Sequence, residues 1–183
     1  WGNLWRKYHI GINKVSDFFT KRNLWALALL IEKINHLKIK KNYLHSFKIG
    51  ITGYLKALSK MQRYYPTSSF PNMSLPGTYY IPPVFSEEYV YKYFKNKFSR
   101  NLKGKKSIIN EINSSDCLIS TQSVLELDNI PANTIDYIFT DPPYSDKVQY
   151  GELNFLWEAW LGFDTEWLEK EIIVNENRGF SEE

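Results

Sequence analysis

Apolar positions recur at helical spacing in three separate stretches of the chain. From Asp17 to Ile34, residues Leu24, Leu27, Ala28, Ile31 and Ile34 fall on one side of a helical repeat, and Trp25, Leu29 and Leu30 widen that stripe. From Tyr43 to Arg63, residues Leu44, Phe47, Ile51, Leu55 and Leu58 do the same, while Gly50 and Gly53 weaken the helix or permit close packing. From Tyr150 to Leu161 the inward positions are Leu153, Leu156, Trp157 and Trp160. A fourth helix is signalled by its start: Ser86 as cap with Glu87 and Glu88 in the first turn. It is predicted to run to about Arg100, where the basic tract Arg100 to Lys106 follows.

Other stretches lack that repeat. Residues Tyr64 to Phe85 are punctuated by Pro66, Pro71, Pro76, Pro82 and Pro83 and read as a long loop, which is uncommon in a compact domain unless it has a task. Its tyrosines Tyr64, Tyr65, Tyr79 and Tyr80 suit either of two tasks, reaching toward nucleobases or strapping down the core. A short strand is predicted near Cys117–Ser120, with Cys117 as a small buried residue, and the Val124–Leu127 segment follows. After a turn at Asn133, the run Ile135-Asp136-Tyr137-Ile138-Phe139-Thr140 reads as a buried strand. The pattern divides the chain at about residue 115, into a mostly helical 1–115 and an α/β segment 116–183.

Charge sharpens that division. The net value of +3 conceals 20 Lys+Arg against 4 Asp+Glu in residues 1–106, and 3 against 16 in residues 107–183. A basic part of +16 beside an acidic part of −13 suggests that the first faces phosphates. Lys56, Lys60 and Arg63, at i, i+4 and i+7 of the second predicted helix, form a stripe suited to a phosphate backbone, or simply a solvated face. One cysteine excludes a disulfide framework, and three scattered histidines give no metal-ligand spacing, so no metal is expected. No apolar run reaches the roughly 18 residues of a membrane span and no signal peptide is visible, so no membrane is expected either. The 13 Tyr and 6 Trp exceed what one core of this size demands, and a surplus of rings suits base stacking.

The strand Ile135–Thr140 runs into Asp141-Pro142-Pro143-Tyr144, which carries the sharpest chemistry in the chain. Such a tetrapeptide arises by chance in roughly one chain in a thousand of this length, so coincidence is a weak explanation. The exocyclic nitrogen of a nucleobase is a poor nucleophile because its lone pair is delocalised into the ring. A carboxylate at Asp141 can accept one of its N–H bonds, and the carbonyl of Pro142 the other. Held so, the nitrogen is drawn toward tetrahedral geometry and its lone pair is aimed for alkylation, by positioning and electrostatics without a strong base. Pro142 and Pro143 stiffen the loop, and Tyr144 offers a face for an extruded base. An ordinary turn at a strand end is the plainer alternative.

This D-P-P-Y resembles the motif of the amino-methyltransferases. The stretch from Ile135 to Gly162 is similar to bacterial DNA methylases of the N6-adenine/N4-cytosine type, in which the motif precedes a Tyr-x-Glu-Leu helix rich in Trp. Phe19 to Leu27 and Gly77 to Pro82 are similar to segments of the same group. The resemblance implies a partial Rossmann-like methyltransferase sheet in 116–183 and catalytic roles for Asp141, Pro142, Pro143 and Tyr144. It also implies S-adenosylmethionine as methyl donor, DNA as partner, adenine N6 rather than cytosine N4 as the commoner target, and a nucleoid-associated place in a bacterial cytoplasm. Lys147 and Tyr150, just past the motif, are candidates to touch the target nucleotide.

One feature of that family is missing. Its cofactor loop needs closely spaced glycines for a sharp turn and a close backbone approach. The glycines here stand at 2, 11, 50, 53, 77, 104, 151, 162 and 179, with no G-x-G among them. The cofactor loop is therefore expected in the remainder of the same enzyme, upstream of residue 1 or, as in permuted relatives, downstream. Two alternatives remain: transfer to RNA or to a protein amide, which Asn in place of Asp141 would have favoured, and a non-catalytic nucleic-acid-binding subunit that keeps a relic motif.

Overall fold

Thr20 starts the first helix, α1 (Lys21–Asn35), because its hydroxyl oxygen accepts the Asn23 N–H at 3.2 Å. The computed structural model describes residues 11–67, 73–112, 117–144, 148–176 and 179–181, with the side chains of 110–112 excluded. Three further helices follow: α2 (Lys41–Thr52), α3 (Val90–Ile112) and α4 (Tyr150–Leu161). Short 3-10 turns at Val15–Phe18 and Glu166–Lys170 precede α1 and follow α4. Helices α1, α2 and α3 pack on one another, and Leu156 of α4 is fully buried in the same core as Phe18, Leu27, Ile51 and Leu58.

Aromatic rings lock these elements together. Phe47 of α2 stacks on Phe98 of α3 with centroids 4.6 Å apart. Phe18 and Tyr79 meet Phe155 of α4 at 5.9 and 4.3 Å, and the Phe19 ring stands edge-on to Trp160 at 5.3 Å. Asn23 is the main polar tie: it is 3% exposed, and its Nδ2 donates to the Leu58 carbonyl at 2.9 Å and the Glu88 carbonyl at 3.0 Å.

The expected α/β sheet does not form. Among the described residues there is no strand, only isolated bridges between Arg63 and Phe85 and between Asn175 and Phe180. The segments 117–120, 124–127 and 135–140 lie almost wholly in solvent, with Ile119 89% and Phe139 83% exposed. Apolar alternation prepares a chain for a sheet, but its N–H and C=O groups need a neighbouring strand, and within the described residues none is supplied. Cys117, expected in a buried strand, is exposed.

Helix boundaries moved for identifiable reasons. The predicted helix Tyr43–Arg63 stops at Thr52 with Gly53 as its C-cap. Residues 54–61 continue as turns that still bury Tyr54, Leu55, Leu58 and Met61, so the helical spacing is met by tight turning. Ser86 caps no helix, because Glu87 is committed to α1, accepting the Thr20 hydroxyl and pairing with Arg22 at 3.0 Å. Helix α3 therefore begins at Val90, and it runs through the basic tract to Ile112. Helix α4 has the predicted bounds, closed by Gly162 at φ 69° with its N–H on the Glu158 carbonyl at 2.8 Å.

Candidate functional site

Asp141, Pro142, Pro143 and Tyr144 are all solvent-exposed, in the irregular stretch that follows Ile135. The Tyr144 hydroxyl donates to Asp141 Oδ1 at 2.9 Å, closing a small ring over the two prolines. That bond, together with the negative charge of the carboxylate, raises the Tyr144 pKa above the ordinary tyrosine value. The carboxylate is thereby oriented while its second oxygen is left to accept another donor. More than half of the Tyr144 surface is exposed, so a ring face is open to a stacking partner.

Helix α4 behind the motif is firmly seated. The Gly151 N–H donates to Glu171 Oε1 at 2.7 Å, placing a carboxylate at the positive end of the helix dipole. A Cβ at Gly151 would stand 2.2 Å from Leu168 Cδ2, so the Leu168 and Glu171 side-chain ends would have to shift to admit one. Gln149 donates to the Val174 carbonyl at 3.2 Å and accepts from Asn175 at 2.7 Å. On the other side, the Trp157 indole donates to the Thr52 carbonyl at 2.9 Å and the Tyr79 hydroxyl donates to the Leu153 carbonyl. Tyr150 is the first residue of α4 and is partly exposed, and its phenol contributes to the upward shift of Tyr144. Lys147 lies outside the described residues.

Lys56, Lys60 and Arg63 are used differently from a free basic stripe, because the chain is no longer helical there. The Lys56 ammonium donates to the carbonyls of Leu75 at 2.9 Å and Thr78 at 3.0 Å and lies over the Tyr79 ring; burial lowers its pKa from the ordinary lysine value. Lys60 donates to the Asp17 carbonyl at 2.9 Å. Arg63 donates to the Met73 carbonyl at 3.1 Å and covers the Tyr65 ring. These cations bind carbonyls that a loop otherwise leaves unpaired. Between the two readings of that loop, the strap describes Tyr79, which is buried, whereas Tyr64 and Tyr80 are exposed.

Two groups escaped the sequence pattern. Asn23, just ahead of the apolar stripe at the start of α1, carried no signal of its two long-range bonds. Glu158 of α4 is buried, with Oε1 accepting the Trp167 indole N–H at 2.9 Å and Oε2 without a partner. Desolvation raises its pKa, the Trp167 bond opposes this, and Glu171 adds to it. An open cleft of about 470 Å³ lies away from the motif, between α2, α3 and α4, and is lined by Thr52, Tyr54, Lys56, Tyr93, Lys97 and Trp157 among others.

S-adenosylmethionine finds no cradle among these residues: the motif is open on all described sides, and no glycine pair gives the backbone a close approach. No group of His, Cys, Asp or Glu with metal-ligand geometry occurs among the described residues. No described helix is long and apolar enough to cross a membrane. Searches against protein-family models, curated proteins and solved structures return no match to this chain.

Proposed function

We propose that this chain supplies the acceptor side of a DNA amino-methyltransferase that draws its methyl group from S-adenosylmethionine bound outside the described residues. In this reading the free oxygen of Asp141 and the carbonyl of Pro142 each accept one N–H of an exocyclic base amine. Tyr144 holds the carboxylate through its hydroxyl and stacks on the extruded base through its ring. The target is an adenine N6 in preference to a cytosine N4.

One observation carries the proposal beyond the tetrapeptide itself. The three stretches that bear the methylase resemblance, Phe19–Leu27, Gly77–Pro82 and the helix after the motif, meet at one place. Phe19 touches Trp160, and Tyr79 touches Phe155 and the Leu153 carbonyl. Segments far apart in sequence thus build one platform behind α4, which starts a few residues past Tyr144.

The test is transfer itself. Full-length protein is incubated with methyl-labelled cofactor and genomic DNA, and the DNA is digested to nucleosides. Label in N6-methyl-2′-deoxyadenosine, or less expectedly N4-methyl-2′-deoxycytidine, supports the proposal. Label only in RNA or protein, or in neither, refutes it.

A further inference from the structure

Helix α3 carries seven cations, Lys92, Lys95, Lys97, Arg100, Lys103, Lys105 and Lys106, with Glu111 as its one acid. They are not spread evenly around it. Lys92, Lys95, Lys103 and Lys106 stand at i, i+3, i+11 and i+14, within an arc of about 80° at 3.6 residues per turn. Ser99 falls on the same arc, and Asn96 about 20° outside it. All six side chains are exposed, and among the described residues no carboxylate pairs with any of the four lysines.

The diametrically opposite face of α3 is already occupied. Val90, Phe94 and Phe98 turn toward the core, where Phe94 and Phe98 stack on Phe47, and Lys105 donates to the Ser46 hydroxyl at 2.7 Å. The basic ridge is thus the outermost line of a helix that is anchored by its back. Phe94 and Phe98 are packed on α2, while Leu102, Ile108 and Ile109 near the end of α3 are exposed, so anionic vesicles are tested beside DNA, and ridge-dependent binding to vesicles alone overturns the proposal.

Spacing points to one partner. Lys95 and Lys103 are eight residues apart, about 12 Å along a helix, which is about the width of the DNA major groove. Lys92 and Lys106 extend the line to about 21 Å. We propose that α3 lies across the major groove of duplex DNA, with Lys92 and Lys95 on the phosphates of one wall and Lys103 and Lys106 on those of the other. This surface is distinct from Lys56, Lys60 and Arg63, whose donors are turned to backbone carbonyls, and it rests on the reading that the protein works on DNA.

The experiment is binding of a labelled duplex to full-length protein without cofactor, followed by fluorescence anisotropy across a salt series. Four phosphate contacts make log Kobs fall against log salt with a slope of about −3.6, so the K92Q/K95Q/K103Q/K106Q variant should lose about that much slope. Either pair alone should lose about half. The four-fold Lys→Arg variant should keep the slope, and the charge-matched control K21Q/K33Q/K38Q/K40Q should change it by less than about one. Far-UV circular dichroism verifies that each variant stays helical. The proposal is overturned if the ridge and control variants lose slope equally, or if the ridge variant loses less than about one unit. It is also overturned if the ridge lysines govern salt-sensitive self-association through the acidic part of a second copy while DNA binding is unchanged. Ridge-dependent binding without methyl transfer counts against the proposed activity alone; methyl transfer without ridge dependence counts against the ridge alone.

Discussion

Asn23→Ala is the most informative single change to the scaffold. The side chain is 3% exposed and joins α1 to the turn at Leu58 and the segment before α3, at 2.9 and 3.0 Å. Truncation leaves two carbonyls without their donor. A buried unsatisfied group costs about 1–3 kcal/mol, and the Glu88 carbonyl sits where water can partly replace the amide, so about 2–4 kcal/mol is expected in total. That is a large share of a typical domain stability of about 5–15 kcal/mol. Urea titration followed by circular dichroism and tryptophan fluorescence should show the midpoint falling by about 1–2 M with the slope m unchanged. Asn23→Asp tests the mechanism, since it keeps the volume but turns oxygen toward both carbonyls; it should be at least as damaging. Thr20→Ala, which removes both the cap and the hydroxyl's bond to Glu87, should cost about 1–2 kcal/mol. A loss below about 0.5 kcal/mol in Asn23→Ala would refute the idea that this amide ties three segments together.

Three further outcomes follow from buried or braced groups. Glu158 binds its proton more tightly when folded than its ordinary value of 4.5, so stability should fall as pH rises from there through its raised folded value. Glu158→Gln should flatten that decline and raise the melting temperature at neutral pH; an unchanged pH profile would contradict the shift. The Tyr54 hydroxyl is buried without a partner, so Tyr54→Phe should be neutral or stabilising by about 1 kcal/mol, and a destabilisation beyond that would mean the hydroxyl has a partner. Tyr144 titrates high because of Asp141, so in Asp141→Ala its ring resonances, followed by NMR against pH, should titrate at lower pH than in the parent; no change would mean that the hydrogen bond does not persist in solution.

How much was legible depended on how local the determinant was. Helix α4 was read with its observed bounds because its apolar stripe and the terminating Gly162 lie within one short segment. The run Ile135–Thr140 carries an equally clear local pattern, but a strand is made by a partner, which no local pattern contains. Lys56, Lys60 and Arg63 looked like one helical stripe only by extending α2 past Gly53, and their partners are backbone carbonyls of the Pro-rich loop and, for Lys60, of the 3-10 turn at Asp17, all unmarked in sequence. Ser86 with Glu87 was good capping chemistry whose acid is held by Thr20 and Arg22. The lysine ridge of α3 was visible in its spacing, but ending the helix near Arg100 cut that line in two. The D-P-P-Y proposal rests on four adjacent residues, whereas the hydrogen bond from Tyr144 to Asp141 and the exposure of both belong to the fold and carry no mark in the sequence.

The central claim is that Asp141 and the neighbouring carbonyl grip an amine for alkylation, and single-turnover methyl transfer by the full-length Asp141→Ala variant tests it most directly. With DNA and cofactor both saturating, removal of one preorganised partner should lower the rate by about 10²–10³-fold. Duplex affinity, measured in parallel, should stay within about threefold of the parent, because no phosphate contact is touched. A rate within about twofold of the parent, with binding intact, would contradict the account.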